Sequence, residues 1–247
     1  MPPSQPEKRK AIHEYFTPAT KRVRSDEEPG EIVQQQPPKK CELITSVPGL
    51  SLHKSFVSIA EEQQLLAFLN DASWRTDLSR RTMHFGGTYC LMPSKSDSNN
   101  ERQQAEILQA PSMPIQLSWF VERMVDVGIF QGDRKPQYCI VNEYTENLGI
   151  AAHTENFQFG EPVVGLSLLS SCPIRFHELK RAFDGSVRSG KAAKAERTGK
   201  VVDVQLPGRS LLVMTGESRW SWQHEIVRSS RGRGLGWRRV SLTFRVK

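Results

Sequence analysis

Arg239-Val-Ser241-Leu-Thr243-Phe-Arg245-Val246 alternates without a break, polar or cationic at the odd positions and apolar at the even ones. A β-strand sends successive side chains to opposite faces. One face of this segment therefore asks for hydrophobic packing while the other carries two guanidinium groups. Turned outward, such a polar face is ordinary for an antiparallel sheet. Turned into a barrel, its arginines persist only with an anion beside them, because an unpaired buried charge is costly. The segment closes a series of short apolar or alternating runs at 138–144, 150–154, 163–169, 174–178, 201–205, 210–214, 224–227 and 239–246. Many closely spaced strands predict a mainly β core, a sandwich or barrel, with helices packed outside it.

Upstream the period changes. Ser58-Ile-Ala-Glu61 spells a capping box, and Leu65, Phe68, Leu69 and Ala72 follow at helical spacing, which predicts a helix over 59–71. Leu117, Phe120, Val121, Met124 and Val127 form a second apolar stripe, predicting a helix over 114–127 with Pro114 in its first turn. Residues 80–100 read as strand and polar loop, and residues 180–200, rich in Gly, Ser, Lys and Arg, as an exposed basic loop. The folded domain is expected over 41–247. Residues 1–40 are rich in Pro, Gln, Glu and Lys and poor in aromatic and β-branched residues, so they are expected to be a disordered tail.

No run of about 18 apolar residues suggests a membrane span, and the amino terminus lacks the apolar core of a signal peptide. A soluble, intracellular monomer with no membrane contact is expected. Cys41, Cys90, Cys139 and Cys172 are scattered without a C-x-x-C pair, which speaks for reduced thiols over a zinc ribbon or disulfide framework. Lys and Arg number 34 against 27 Asp and Glu, and the excess is segregated: residues 177–247 hold 16 basic and 6 acidic groups, whereas residues 41–176 hold 10 and 15. A basic field of this kind suits a polyanion such as nucleic acid; it also suits a surface that is merely kept soluble.

The chemistry-bearing stretch is Asn142-Glu-Tyr144-Thr-Glu-Asn-Leu-Gly149-Ile150-Ala-Ala-His153-Thr-Glu155-Asn-Phe157-Gln-Phe159-Gly160. On a strand His153 and Glu155 point to one face. With His224 of Trp220-Ser-Trp222-Gln-His224 they make a two-histidine, one-carboxylate set, the donor combination that holds catalytic ferrous iron with positions left open. His13, His53 and His177 have no partner at ligand spacing. His84 either approaches a substrate or plays a structural part.

With Arg239 the set resembles, in chain order, the iron- and 2-oxoglutarate-dependent dioxygenases, and more narrowly the AlkB family of oxidative dealkylases. The likeness covers most of residues 43–247. It rests on Asn142-x-Tyr144, Gly149-Ile150, Phe159-Gly160, Leu166-Ser-Leu168, Gly208-Arg-Ser-Leu-Leu-Val-Met214, Trp222-x-His224 and the closing Arg239-x-Ser241-Leu-Thr243-Phe-Arg245. It implies a double-stranded β-helix, a jelly-roll variant. It makes His153, Glu155 and His224 the Fe(II) ligands and Arg239 the holder of the distal carboxylate of 2-oxoglutarate, with Asn142, Tyr144 and Ser241 also at the cosubstrate and Arg245 beside it. The implied chemistry activates molecular oxygen, decarboxylates 2-oxoglutarate to succinate and hydroxylates an N-alkyl carbon that leaves as an aldehyde. Glu155 departs from the Asp of most members, which leaves a non-catalytic adaptor as the alternative.

The implied substrate is an alkylated base in nucleic acid, DNA preferred, lifted from its stack. Phe85 and Tyr89 are candidates for stacking on it, against ordinary strand packing. Phe157 stands where DNA-repairing members carry an acidic residue, and Arg80-Arg81-Thr-Met-His84-Phe85-Gly86 resembles the tRNA-modifying branch. RNA-directed and protein-directed oxygenases therefore remain alternatives. In the tail, Ile12, Tyr15 and Phe16 would share one face of a helical turn and resemble the PIP box that docks on the sliding clamp PCNA, with Arg9 where that motif carries Gln. Lys8-Arg-Lys10 and Lys21-Arg22-Val-Arg24 resemble a split nuclear localisation signal, so a nuclear address, with some cytoplasmic protein, is expected.

Overall fold

The alternating C-terminal segment forms β13 (Arg238–Arg245), bonded on one side to β6 (Tyr138–Thr145) and on the other to β8 (Val163–Leu169). In this computed structural model residues 41–91, 106–181 and 195–247 are described. The tail with its clamp-like and basic motifs, the end of the polar loop (92–105) and much of the basic loop (182–194) lie outside the described residues. Beyond β8 the sheet continues through β11 (Ser210–Met214), β2 (Leu50–His53) and β1 (Cys41–Leu43), and beyond β6 it ends at β3 (Arg81–Phe85), giving the seven-stranded order β1-β2-β11-β8-β13-β6-β3. A second, four-stranded sheet is built from β7 (Ile150–His153), β9 (Cys172–Leu179), β10 (Arg197–Leu206) and β12 (Trp222–Ile226) in the order β10-β9-β12-β7. β4 (Thr88–Leu91) and β5 (Glu106–Gln109) pair as a separate ribbon. The described ladders are antiparallel, and the two main sheets form a jelly roll, the double-stranded β-helix.

β13 is buried on both faces, and this decides the question its sequence leaves open. Val240, Leu242 and Phe244, with Val246 beyond the strand end, join the apolar layer under α1 (Ile59–Asp71) and α2 (Ser118–Asp126). Arg239, Ser241, Thr243 and Arg245 turn the other way, into a cavity that both sheets line. The polar face is therefore the inner one. β8 obeys the same rule: Val164, Leu166 and Leu168 go to the helical layer, which leaves Gly165 and Ser167 on the cavity side opposite β13.

The helices hold this sheet from behind. Ser58 caps α1, its Oγ accepting from the Glu61 amide at 3.2 Å while Glu61 Oε2 accepts from the Ser58 amide at 2.8 Å, as the capping box predicts. The same Glu61 pairs with Arg123 of α2, fastening one helix to the other. Pro114 caps a short 3-10 turn (Ile115–Leu117) ahead of α2, so the predicted helix over 114–127 is split in two. Residues 197–200, expected within the basic loop, extend β10 instead. A third helix, α3 (Gly216–Trp220), takes Trp220 off the strand, while Trp222 stays on β12 two residues before His224. Gly149 belongs where it is because a Cβ there would lie 2.1 Å from the Ile226 carbonyl, so the turn into β7 presses against β12. Among the described residues no helix is long and apolar enough to cross a membrane.

Phe244 has no exposed surface and meets Phe120 at 5.4 Å between ring centroids. Phe244→Ala is expected to lower the unfolding free energy by about 3–5 kcal/mol in a denaturant titration. Ile115→Ser, at a site 77 % exposed, should stay within about 0.5 kcal/mol of the unaltered chain.

Candidate metal and cosubstrate site

His153 and His224 are direct cross-strand partners between β7 and β12, and their ring centroids are 4.5 Å apart. Glu155 lies just past the end of β7, and its carboxylate approaches His224 Nε2 at 3.6 Å. The ligand-capable atoms of the three residues all fall within 4.8 Å of one another. His153 Nδ1 is 2.8 Å from the Ala151 carbonyl. A carbonyl only accepts, so Nδ1 carries the proton and Nε2 keeps its lone pair for a metal.

Electrostatics suit the same role. Burial alone would raise the Glu155 carboxyl, but Arg245, His224 and His153 together hold it well below the usual carboxylate range. Burial, followed by the neighbouring His224, lowers the His153 imidazole to about 4. The resting set is thus an ionised carboxylate with a neutral His153, the protonation a divalent cation requires. Arg245 donates from Nε to Glu155 Oε2 at 2.7 Å, and its Nη2 lies 2.6 Å from the same oxygen. With Oε2 occupied, Oε1 faces His224 and is the oxygen a metal would find. The extra methylene of glutamate does not displace the carboxylate from the histidines.

Arg239 is the opposite case. It is 4 % exposed and donates from Nη2 to Ser167 Oγ at 2.8 Å and, more weakly, to Ser241 Oγ at 3.4 Å. Its Nε is buried without any hydrogen-bond partner, and among the described residues no carboxylate pairs with it. The guanidinium lies 5.3 Å from the centre of the Tyr144 ring, opposite Tyr144 in the ladder, just as Ser241 lies opposite Asn142. Arg80 Nε donates to Asn142 Oδ1 at 2.8 Å, which leaves the Asn142 amide N–H groups for the cavity. The cavity, about 70 Å³ in volume, contains the three metal-ligand candidates together with Asn142, Tyr144, Arg239, Ser241 and Arg245. A buried, unanswered guanidinium fits a carboxylate that comes from outside the chain.

The other candidates fare differently. Phe85 is buried beside Phe68 in the helical layer, away from the cavity wall. Tyr89 is buried too, its hydroxyl donating to the Phe85 carbonyl at 2.8 Å, and burial raises its pKa. Both pack as ordinary strand residues, since their partners lie within the fold. His84 sits edge-on to Tyr89 at 4.8 Å, held neutral by burial with a pKa of about 4. Phe157 is 46 % exposed and stacks on Trp220 at 6.0 Å and 18°, next to the Glu155 backbone. Of the basic residues around the turn that carries Gly232, Gly234 and Gly236, Arg233 is spent on the carbonyls of Glu146, Leu148 and Val227, and Arg238 on Glu143. Sequence reading missed Arg80 and Arg219 as parts of the site. Arg219 adjoins the Trp220–His224 stretch but is bonded to backbone carbonyls, which leave no mark in a sequence.

A jelly roll with a two-histidine, one-carboxylate set and an anion-seeking arginine in one cavity defines a mononuclear non-haem iron oxygenase. Comparison with known proteins agrees. The model of the 2OG-Fe(II) oxygenase superfamily matches residues 49–245. An Arabidopsis thaliana protein named alkylated DNA repair protein ALKBH8 homolog is 29 % identical over 189 residues, 73 % of this chain and 51 % of its own length. A Macaca fascicularis protein named tRNA (carboxymethyluridine(34)-5-O)-methyltransferase ALKBH8 is 30 % identical over 188 residues, 73 % of this chain and 24 % of its own length. The solved structure of OsALKBH1 superposes with a TM-score of 0.50 at 22 % identity, covering 80 % of this chain and 96 % of that one. The chain belongs to the 2OG-Fe(II) oxygenase superfamily and is an AlkB-like member of it. It spans about half the length of the Arabidopsis relative and about a quarter of the macaque one. The cofactors of this class are Fe(II), 2-oxoglutarate and molecular oxygen.

Replacing Arg239 with Met removes the unanswered charge and keeps much of the volume. The variant is expected to unfold no earlier than the unaltered chain without cosubstrate, since a buried unpaired charge costs several kcal/mol. It should lose the thermal stabilisation that 2-oxoglutarate gives the unaltered chain. Melting curves with and without 2-oxoglutarate check both halves.

Proposed function

We propose that this domain is an Fe(II)- and 2-oxoglutarate-dependent dioxygenase that oxidatively demethylates alkylated bases in nucleic acid, with His153, Glu155 and His224 as its iron ligands. The observation that carries the reading is the buried Arg239 guanidinium, without an anion of its own, in the same cavity as the donor set. Bound iron supplies oxygen activation coupled to oxidative decarboxylation of 2-oxoglutarate. The chain supplies position. Arg239, assisted by Ser241, holds the distal carboxylate; the Asn142 amide and the Tyr144 hydroxyl flank the cosubstrate. Arg245 keeps Glu155 ionised and turned so that one oxygen faces the histidines. Ile150, Leu212, Met214 and Ile226 form apolar walls of the cavity that exclude water.

For the substrate, support comes from the exposed Phe157, stacked on the half-buried Trp220 beside Glu155. A flat ring on an aromatic face is how unpaired bases are held without sequence preference, and a base undergoing chemistry has to leave its stack. DNA is the proposed polymer. The proposal includes the basic clusters of residues 1–40 as a nuclear address and Ile12, Tyr15 and Phe16 as a clamp contact. The second reading is RNA, favoured by the macaque relative whose name describes a tRNA enzyme and by another relative named RNA demethylase ALKBH9B.

With N-methylated oligonucleotides, Fe(II) and 2-oxoglutarate, release of formaldehyde and succinate in equal amounts is expected, and none after His224→Ala. Supplying methylated DNA and RNA strands of one sequence in competition decides the polymer; faster loss of methyl from RNA would overturn the DNA preference. Phe157→Ala should raise KM for the oligonucleotide by about 5- to 150-fold, equivalent to a stacking contribution of about 1–3 kcal/mol, with KM for 2-oxoglutarate unchanged.

A further inference from the structure

β7 ends at His153, so the strand ladder that fixes both histidines does not reach Glu155. A single side chain outside the cavity takes over. Arg219 of α3 is 1 % exposed, and its guanidinium donates from Nη1 to the Glu155 carbonyl at 3.1 Å. From Nη2 it donates to the Asn156 and Phe159 carbonyls at 2.8 and 2.7 Å, and from Nε to the Gly160 carbonyl at 3.3 Å. Its plane approaches the Trp220 ring, with the guanidinium carbon 4.0 Å from the ring centre. The whole turn after β7 is thus wrapped on one cation. Burial lowers the pKa of that cation, and the nearby Glu155 and Glu161 oppose the shift. Glu161 adds a second tie between the two segments by accepting from the Gly216 amide at 2.5 Å.

α3 runs directly into β12, and Arg219 stands five residues before His224. The side chain that holds the backbone of Glu155 therefore belongs to the segment that delivers His224. We propose that Arg219 is a positioning residue of the metal site, setting the separation of the Glu155 carboxylate from the His224 imidazole and thereby the affinity for a divalent cation. The proposal rests on the reading of His153, Glu155 and His224 as ligands. It also places the Phe157–Trp220 stack on the same scaffold, because Phe157 lies within the gripped turn and Trp220 follows Arg219. Lysine cannot substitute. Guanidinium offers five N–H donors in a rigid plane, whereas an ammonium has three on one atom, too few and too concentrated for four carbonyls spread around a turn.

The test is a titration of the full chain with Mn(II), which needs no oxygen-free handling, following free Mn(II) by electron paramagnetic resonance. Circular dichroism at the same temperature restricts the reading to folded protein. Arg219→Lys and Arg219→Ala are expected to raise the Mn(II) Kd about 10- to 100-fold, the usual range for a lost partner behind the ligands. Arg175→Ala removes the β9 cation of an exposed pair with Asp203 of β10 and should bind Mn(II) as the unaltered chain does. Where Arg219→Ala does not fold, Arg219→Lys, which keeps the charge and the stem, carries the measurement. A folded Arg219→Lys that binds Mn(II) as tightly as the unaltered chain overturns the proposal, however far its melting temperature falls. Failure of the unaltered chain itself to bind Mn(II) would instead sink the ligand assignment.

Discussion

Two arginines on one inward strand face are the constraint around which the domain is arranged. Stripping water from a charge costs several kcal/mol unless something inside answers it, and β13 turns both Arg239 and Arg245 into the cavity. The two are answered differently. Arg245 meets Glu155 and is neutralised within the chain; among the described residues Arg239 finds hydrogen bonds to serine hydroxyls and no carboxylate. In the function proposed, that asymmetry divides the labour: one guanidinium serves the proposed metal ligand, and the other is left for the carboxylate of the cosubstrate. The arrangement holds because Val240, Leu242 and Phe244 on the opposite face of β13 are clamped under two helices, so the strand cannot turn its charges out to solvent without exposing Leu242 and Phe244.

The same accounting changes the meaning of the basic C-terminal third. Net charge read along a sequence counts every arginine as surface field, yet in this segment Arg197, Arg219, Arg233, Arg238, Arg239 and Arg245 are committed to hydrogen bonds inside the domain. They tie turns, pair with Glu143 or line the cavity. The field left for a polyanion is correspondingly thinner among the described residues.

How much of this was legible follows from how local each feature is. The helix over 59–71 and the strands over 163–169 and 210–214 have the bounds expected of them, because a capping box and a short apolar run are decided by neighbours in the chain. The metal-ligand candidates and the cavity-facing arginines come together as the family resemblance implies. α3 was not legible: five residues are too few to show a helical period. Neither was the burial of Phe85 and Tyr89, since aromatic residues on a strand look alike whether they face a substrate or a helix. Arg80 and Arg219 were invisible for a further reason. Their roles lie in an amide and four carbonyls that are distant in the chain, and only the folded register brings them within reach.

Glutamate at position 155 is where these threads meet. Compared with aspartate it adds one rotatable bond, and each extra rotamer that must be frozen opposes a fixed ligand geometry. Here the freedom is removed at both ends: Arg245 fastens Oε2, and Arg219 fastens the carbonyl of the same residue. A shorter aspartate would withdraw its carboxylate by about 1.5 Å, one C–C bond length, from Arg245 as well as from His224. The surrounding contacts are thus fitted to the longer side chain. A non-catalytic adaptor would have no use for that fit, and still less for a cavity that carries the desolvation cost of Arg239 with no anion of its own to meet it.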